Sequence, residues 1–149
     1  MAQADIIIAD EELLPQTVEL YQHIFRPKHE IDYFKRRFLG RYNILTLLAR
    51  VDDRPVGFWI GFELKPAMFY HWLGAVVPDL RRQGVARQLH DAQHAWAKDH
   101  GYEYIRCECM NNQKEFIHFA ITTGFTIIGT RWDSTHADTL INFEKNLIE

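Results

Sequence analysis

Two cysteines in 149 residues cannot build a disulfide framework, and they do not form a CxxC pair. Cys107 and Cys109 are separated by one residue in an apparent strand, where residues two apart share a face. They read as reduced core residues rather than a disulfide or a zinc pair. No apolar run reaches the roughly 20 residues that a membrane-spanning helix requires. The first residues, MAQADIIIAD, lack the basic start and long apolar core of a secretory leader. No membrane partner is expected, and the cytoplasm is the expected compartment. Positive charge is not in excess either: 17 Lys+Arg stand against 20 Asp+Glu, a net charge of −3, so nothing global favours nucleic acid. Neither phosphate-loop pattern, GxxxxGK[ST] or GxGxxG, occurs. Repeats, low-complexity stretches and internal linkers are also missing.

What is present is ordinary for a globular protein, with 47% apolar and 25% charged residues. The length fits one domain spanning residues 1–149. ADIIIA (Ala4–Ala9) reads as an opening strand. Asp10 offers an N-cap for a helix whose apolar positions Leu14, Val18, Tyr21 and Phe25 recur at helical spacing. A second helix is predicted from His29 to Leu39, with Ile31, Phe34 and Phe38 on one face and Gly40 as its stop. ILTLLARV (Ile44–Val51), DDRP and VGFWIGFEL (Val56–Leu64) read as a hairpin, and Met68–Val77 as a third long strand. The face Val85, Leu89, Ala92, Trp96 marks a helix from about Gln83 to His100, closed by Gly101. A strand over Tyr102–Met110, a helix over Lys114–Thr123 and strands near Phe125–Trp132 and Thr139–Asn146 complete the chain. The fold class is α/β in the α+β sense: a mixed central sheet of about seven strands flanked by about four helices.

The junction PDLRRQGVARQL (Pro78–Leu89) stands out. Three arginines and a glycine sit where an apolar strand hands over to a helix whose first N–H groups have no intrahelical acceptor. The helix dipole adds positive character there, and Gly84 and Ala86 keep side-chain bulk away from the backbone. Arg81, Arg82 and Arg87 surround that backbone, giving a cradle for a phosphate or pyrophosphate. The alternative is a solvated helix start whose arginines face water.

Arg81-x-x-Gly84-x-Ala86 resembles the [R/Q]-x-x-G-x-[G/A] signature of the GNAT superfamily of acyl-CoA-dependent N-acetyltransferases. The context is similar as well: an apolar strand ending Val76-Val77-Pro78, the signature, an amphipathic helix, and a late helix closing on Gly124-Phe125. The resemblance implies acetyl-CoA as cosubstrate, without a metal, and a small-molecule or peptide amine as acceptor. It places the coenzyme A pyrophosphate on the N–H groups of Arg82, Gln83, Gly84, Val85, Ala86 and Arg87. It sets the pantetheine arm beside Val76 and Val77, with Gly74 easing a distortion of that strand. Asn111 or Asn112 would supply an asparagine side chain, and Phe116 and Phe119 would pack in the core or against pantetheine. One departure is plain. The family's acid, a tyrosine four residues before Gly-Phe, is Ala120 in this chain. A CoA-binding regulatory or sensory module with reduced catalysis is therefore the alternative, and dimers common in the superfamily make a homodimer possible.

For a base, Tyr70, His71, Glu63 and Glu108 are candidates. His71 has the most suitable ordinary pKa, about 6.5. Tyr70 and His71 are adjacent on a strand, so at most one faces the cleft. His90 and His94, at i and i+4, look superficially like HExxH. The acid is Asp91, however, and no third ligand lies nearby, so two exposed histidines are expected and no metal. His118 is expected to pack within its helix. Phe25–Glu30, with Asp32, is a candidate acceptor-reading segment or a solvated turn.

Overall fold

A computed structural model describes residues 1–148. The elements are β1 (Asp5–Ile8), α1 (Leu14–Ile24), α2 (Ile31–Phe38), β2 (Leu45–Val51), β3 (Arg54–Lys65), β4 (Met68–Val76), α3 (Val85–Asp99), β5 (Tyr104–Met110), α4 (Lys114–Thr122), β6 (Thr126–Asp133) and β7 (Asp138–Asn146). The strands form one seven-stranded sheet in the order β1-β2-β3-β4-β5-β7-β6. Every neighbouring pair is antiparallel except β4 with β5, which is parallel. The expected mixed sheet is therefore present, with its single parallel junction at the centre.

Strand alternation sorts the core into two layers. Phe58, Phe62 and Trp72 lie on the face covered by α1 and α2, where Tyr21 approaches Phe58 and Phe34 meets Trp72 edge-on at 5.9 Å. Trp59, Phe69 and His71 lie on the opposite face, against Phe119 of α4, Trp96 of α3 and Phe116 of α4 respectively. Phe34, Phe58, Phe62, Phe69 and Phe143 are fully buried. Each such ring contributes about 1.5–3 kcal/mol.

The first three helices start later than the sequence spacing indicates, while α4 begins at Lys114 as expected. Asp10 does not cap α1 directly; its carboxylate accepts the N–H groups of Glu12 and Leu13 and closes the turn ahead of the helix. α3 begins at Val85 because Pro78–Leu80 forms a separate single 3-10 turn, and Gly84 is the N-cap residue.

Two irregularities position the site. In β4 the register steps from Ile60↔Leu73 to Gly61↔His71, so Trp72 occupies a bulge. The β4–β5 ladder, moreover, is limited to Met68–Tyr70 against Tyr104–Arg106. β4 continues to Val76 and β5 to Met110, so beyond Tyr70 and Arg106 the two strands part.

Candidate active site

The signature loop presents a run of backbone N–H groups at the start of α3. Arg82 (φ 63°) and Gly84 (φ 87°) both adopt left-handed backbone conformation, turning successive N–H groups outward at the start of α3. Among the described residues, the N–H groups of Arg82, Gln83, Gly84, Val85, Ala86 and Arg87 have no hydrogen-bond acceptor. The arginines stand at the rim rather than in the cradle. Arg81 donates Nε to the Val76 carbonyl at 3.1 Å, Arg87 pairs with Asp91 at 3.1 Å, and Arg82 reaches Glu115 at 3.8 Å. Gln88 braces the loop from behind. Its amide nitrogen donates to the carbonyls of Ala2 (2.8 Å) and Gly84 (3.1 Å), and its oxygen accepts the Ala4 N–H (3.0 Å).

From this loop a groove of about 750 Å³ runs along the end of β4 to α4. Its walls include Trp59, Gly74, Ala75, Val76, Phe116 and Phe119, with Lys114, His118 and Thr122 on the α4 side. Gly74 is a glycine for a specific reason: a Cβ there would lie 2.3 Å from the Trp59 indole, so the ring could not cross the strand. The edge of β4 that turns toward β5 has no partner strand over this stretch, leaving backbone groups able to pair with an extended ligand.

The opposite face of the same gap carries Tyr70 and Glu108. Tyr70 is the last β4 residue paired with β5, and Glu108 lies two residues beyond Arg106 on that face. Burial, reinforced by the nearby Glu108 carboxylate, holds the Tyr70 phenol far above the usual tyrosine range, while Arg131 and Arg37 pull in the other direction. Tyr70 therefore keeps its proton across the working pH range. Arg131 of β6 binds Glu108 as a fork, Nη2 to Oε1 at 2.8 Å and Nε to Oε2 at 3.2 Å. One face of the gap thus holds a long groove that ends at the unpaired N–H groups of the signature loop. The other holds a proton-bearing phenol beside a carboxylate.

The sequence model of the Acetyltransferase (GNAT) family matches residues 11–125. The chain belongs to this family. Solved structures similar to this GNAT chain include the ribosomal-protein-S18-alanine N-acetyltransferase from Escherichia coli, with a TM-score of 0.84 and 17% identity over 97% of this chain and 94% of that one. Ard1 from Thermoplasma volcanium gives 0.83 and 19%, covering 98% and 99%. The IAA acetyltransferase from Bacillus cereus ATCC 14579 gives 0.81 and 18%, covering 97% and 99%. At these identities the likeness shows the fold. No curated protein sequence matches the chain significantly.

Within the GNAT fold, several expected residues take other places. His71 is only 6% exposed, held on the α3 side by Trp59 and by the Gln93 amide at 3.2 Å from its Nδ1. Burial, with His90 nearby, pushes its pKa down to about 3. It is a neutral core residue, on the face opposite Tyr70. Val77 is buried with both backbone groups already paired, its N–H donated to Val56 and its carbonyl accepting from Leu80, and it does not line the groove. Asn112 lies in the exposed turn after β5, its N–H directed at Asp138, and it does not line the groove. Asn111 accepts from Lys114. Phe119 does line the groove, as does Phe116.

Ala120 is fully buried against His71, His90, His94 and Cys107, around a residual cavity of about 10 Å³. The His90 and His94 rings are not exposed as expected, because α4 and Phe125 close over them; their centroids lie 3.8 Å apart with the planes tilted by 33°. Among the described residues no cluster of three metal-binding side chains occurs. His118 does not pack inward but is exposed on the groove wall. Glu63 accepts the Tyr102 hydroxyl at 3.0 Å. Cys107 and Cys109 are free and buried, and burial raises both thiols, Cys109 to about 11. No helix among the described residues is long and apolar enough to cross a membrane. Arg37 and Arg131 went unrecognised in the sequence, because nothing local marks a helix arginine or an edge-strand arginine as a neighbour of Tyr70.

Proposed function

We propose that this GNAT chain transfers the acetyl group of acetyl-CoA to a primary amine of a small molecule or peptide, by direct attack in a ternary complex. The observation that carries the proposal is the parting of β4 and β5 beside a loop with six unspent N–H groups. That arrangement fits a pyrophosphate on Arg82–Arg87 and an extended pantetheine arm along the free edge of β4, packed by Phe116, Phe119 and Trp59. The thioester then reaches the gap, where an amine from the α1/α2 face can meet it. Holding both reactants in register supplies the proximity that direct transfer needs.

Tyr70 and Glu108 divide the proton work in this reading. The amine nitrogen attacks the thioester carbonyl and the C–S bond breaks. The Tyr70 hydroxyl donates its proton to the departing thiolate, and the proton lost by the amine is taken up on a Glu108 lone pair that the Arg131 fork leaves free and then returned to Tyr70. Tyr70 thus replaces the acid absent at Ala120. His71, neutral and on the other face, takes no part. The chemistry as drawn uses no metal.

Thermal shift with acetyl-CoA and CoA, followed by thiol release with a panel of amines, tests the proposal. Both ligands are expected to raise the melting temperature, and at least one amine to accelerate thiol release. Binding without release from any amine would favour a CoA-binding module instead. We further propose a homodimer through β6, an edge strand whose Ile127, Ile128 and Trp132 are all exposed.

A further inference from the structure

On the acceptor face of the gap, Phe62, Tyr70 and Trp72 form an aromatic floor, with ring centroids 5.7 Å apart for Phe62–Tyr70 and 6.3 Å for Phe62–Trp72. Two arginines lie on this floor. Arg37 of α2 places its guanidinium carbon 5.2 Å from the Trp72 ring centroid and 5.9 Å from that of Tyr33. Arg41 sits 4.6 Å over Phe62. Neither forms an ion pair among the described residues. Glu30 and Asp32 line the same groove of about 680 Å³ as Arg36, Arg37 and Arg41, yet among the described residues no carboxylate oxygen comes within 4.0 Å of these guanidinium groups. The carboxylate at the reaction centre is already engaged, since Glu108 is bound at both oxygens by Arg131. Its neighbour on the same face, Glu144, is taken by Arg106 at 2.9 Å.

We infer that the acceptor is an amine that also carries an oxyanion, and that Arg37 is the residue that binds it. A guanidinium held over indole and phenol rings by cation–π attraction is restricted in position, while its N–H donors stay free for a carboxylate or phosphate. The forked donor geometry suits either group. Trp72 occupies the β4 bulge, two residues from Tyr70, so the anion subsite adjoins the point where the amine must attack. The charge of Arg37 reaches the Tyr70 phenol, consistent with that closeness. Arg37 and Arg41, which pair with no carboxylate among the described residues, also disfavour polycationic acceptors such as polyamines and aminoglycosides, whose extra ammonium groups would meet like charge. The specificity of the site is thus for an acceptor whose net charge is zero or negative.

This inference rests on the acetyltransfer reading, and its test is chosen to keep the two apart. The CoA-loaded protein is titrated calorimetrically with three acetylated product analogues, so that no turnover is required. They are N-acetyl-L-phenylalanine, N-acetyl-D-glucosamine 6-phosphate and the uncharged N-acetylphenethylamine. At least one anionic analogue is expected to bind about tenfold or more tightly than the uncharged one, and the two anionic arms tell carboxylate from phosphate. Arg37→Gln is expected to erase that preference while leaving CoA affinity and N-acetylphenethylamine binding unchanged. Arg37→Lys, which keeps the charge but not the fork, is expected to restore part of it. Equal affinity for all three analogues, including no detectable binding of any, or a preference that survives in Arg37→Gln, overturns the inference. Failure of CoA itself to bind in the loading step would instead overturn the reading beneath it, and this inference with it.

Discussion

Gln93 of α3 and His71 of β4 form a buried polar pair, with the amide nitrogen 3.2 Å from the ring Nδ1. With the amide donating, Nδ1 accepts and the imidazole proton sits on Nε2. Burial holds both His71 and His94 down to about 3, with His90 adding to the effect on each, and His90 itself is also lowered by burial. The unfolded chain takes up these protons near pH 6.5, whereas the folded chain resists them until far lower pH. Their contribution to stability is therefore complete above about pH 6.5 and is lost progressively as pH falls toward 3, at about 1.4 kcal/mol per pH unit for each histidine. Melting temperature is expected to decline steadily from pH 6.5 to 4.5. NMR should show the His71 and His94 imidazoles still neutral at pH 5; a midpoint near 6.5 for either would contradict this account.

The signature loop was legible in the sequence because its chemistry is local: a left-handed glycine, a helix start and flanking arginines lie within one short run. Element order was legible for the same reason, since each period of apolar residues is read within its own segment. The alternation of Tyr70 and His71 was likewise evident, but not which of them faces the acceptor. What the structure adds is that Tyr70 lies on the face covered by α1 and α2 and His71 on the face covered by α3 and α4, a tertiary fact with no local mark. The β4 bulge at Trp72 is also hidden, as it depends on register with β3. His90 and His94 look solvated on a helix with many polar residues. They are enclosed only because α4 and Phe125 arrive from later in the chain. Gly74 also makes room for the Trp59 ring, a neighbour on β3 that nothing local announces.

Gly84→Asp should abolish acetyl-CoA binding without unfolding the protein. A Cβ at Gly84 would clash with the terminal methyl of the exposed Met1 side chain, at 2.4 Å, and otherwise meet Met1 Sδ and Gln88 Nε2 at ordinary contact distance, so the steric cost is small. The left-handed φ adds about 1–2 kcal/mol of strain, or a few degrees of melting temperature. A carboxylate placed in an anion cradle, by contrast, is expected to weaken affinity about 100-fold or more. Gln88→Ala is expected to act more mildly, raising KM for acetyl-CoA several-fold while KM for the acceptor stays constant, because it loosens the loop without occupying it. Calorimetry and steady-state kinetics check both. Unchanged affinity in Gly84→Asp would falsify the cradle.

Tyr70→Phe removes only the phenol oxygen, in a setting where Phe62 already packs against the ring. If Tyr70 protonates the leaving thiolate, kcat should fall about 100-fold, with KM for acetyl-CoA unchanged. His71→Gln, on the other face, should leave the pH dependence of kcat/KM as it was. A Tyr70→Phe enzyme of full activity, or a pH profile that flattens in His71→Gln, would reverse these assignments.

Edge strand β6 exposes Trp132 at 63% and Ile128 at 45% of their surface. If a second copy covers this edge, Ile128→Lys together with Trp132→Lys should convert a dimer to a monomer in sedimentation velocity, with the melting temperature of the monomer little changed. A wild-type monomer at the concentrations used for kinetics would rule the interface out.

Restoring the family's tyrosine should not restore its function. Ala120 is fully buried, and the space beside it, about 10 Å³ among His71, His90, His94 and Cys107, cannot take a phenol ring. Ala120→Tyr must push α4 away from α3 or force strained rotamers, at a cost of about 1–3 kcal/mol or more. The same displacement would move Phe116 and Phe119, which border both the cavity and the groove, so affinity for acetyl-CoA should fall along with stability. Urea denaturation and single-turnover kinetics together check this. A variant that keeps its wild-type unfolding midpoint and gains kcat would mean that the position still opens onto the thioester, and that Tyr70 is not the acid.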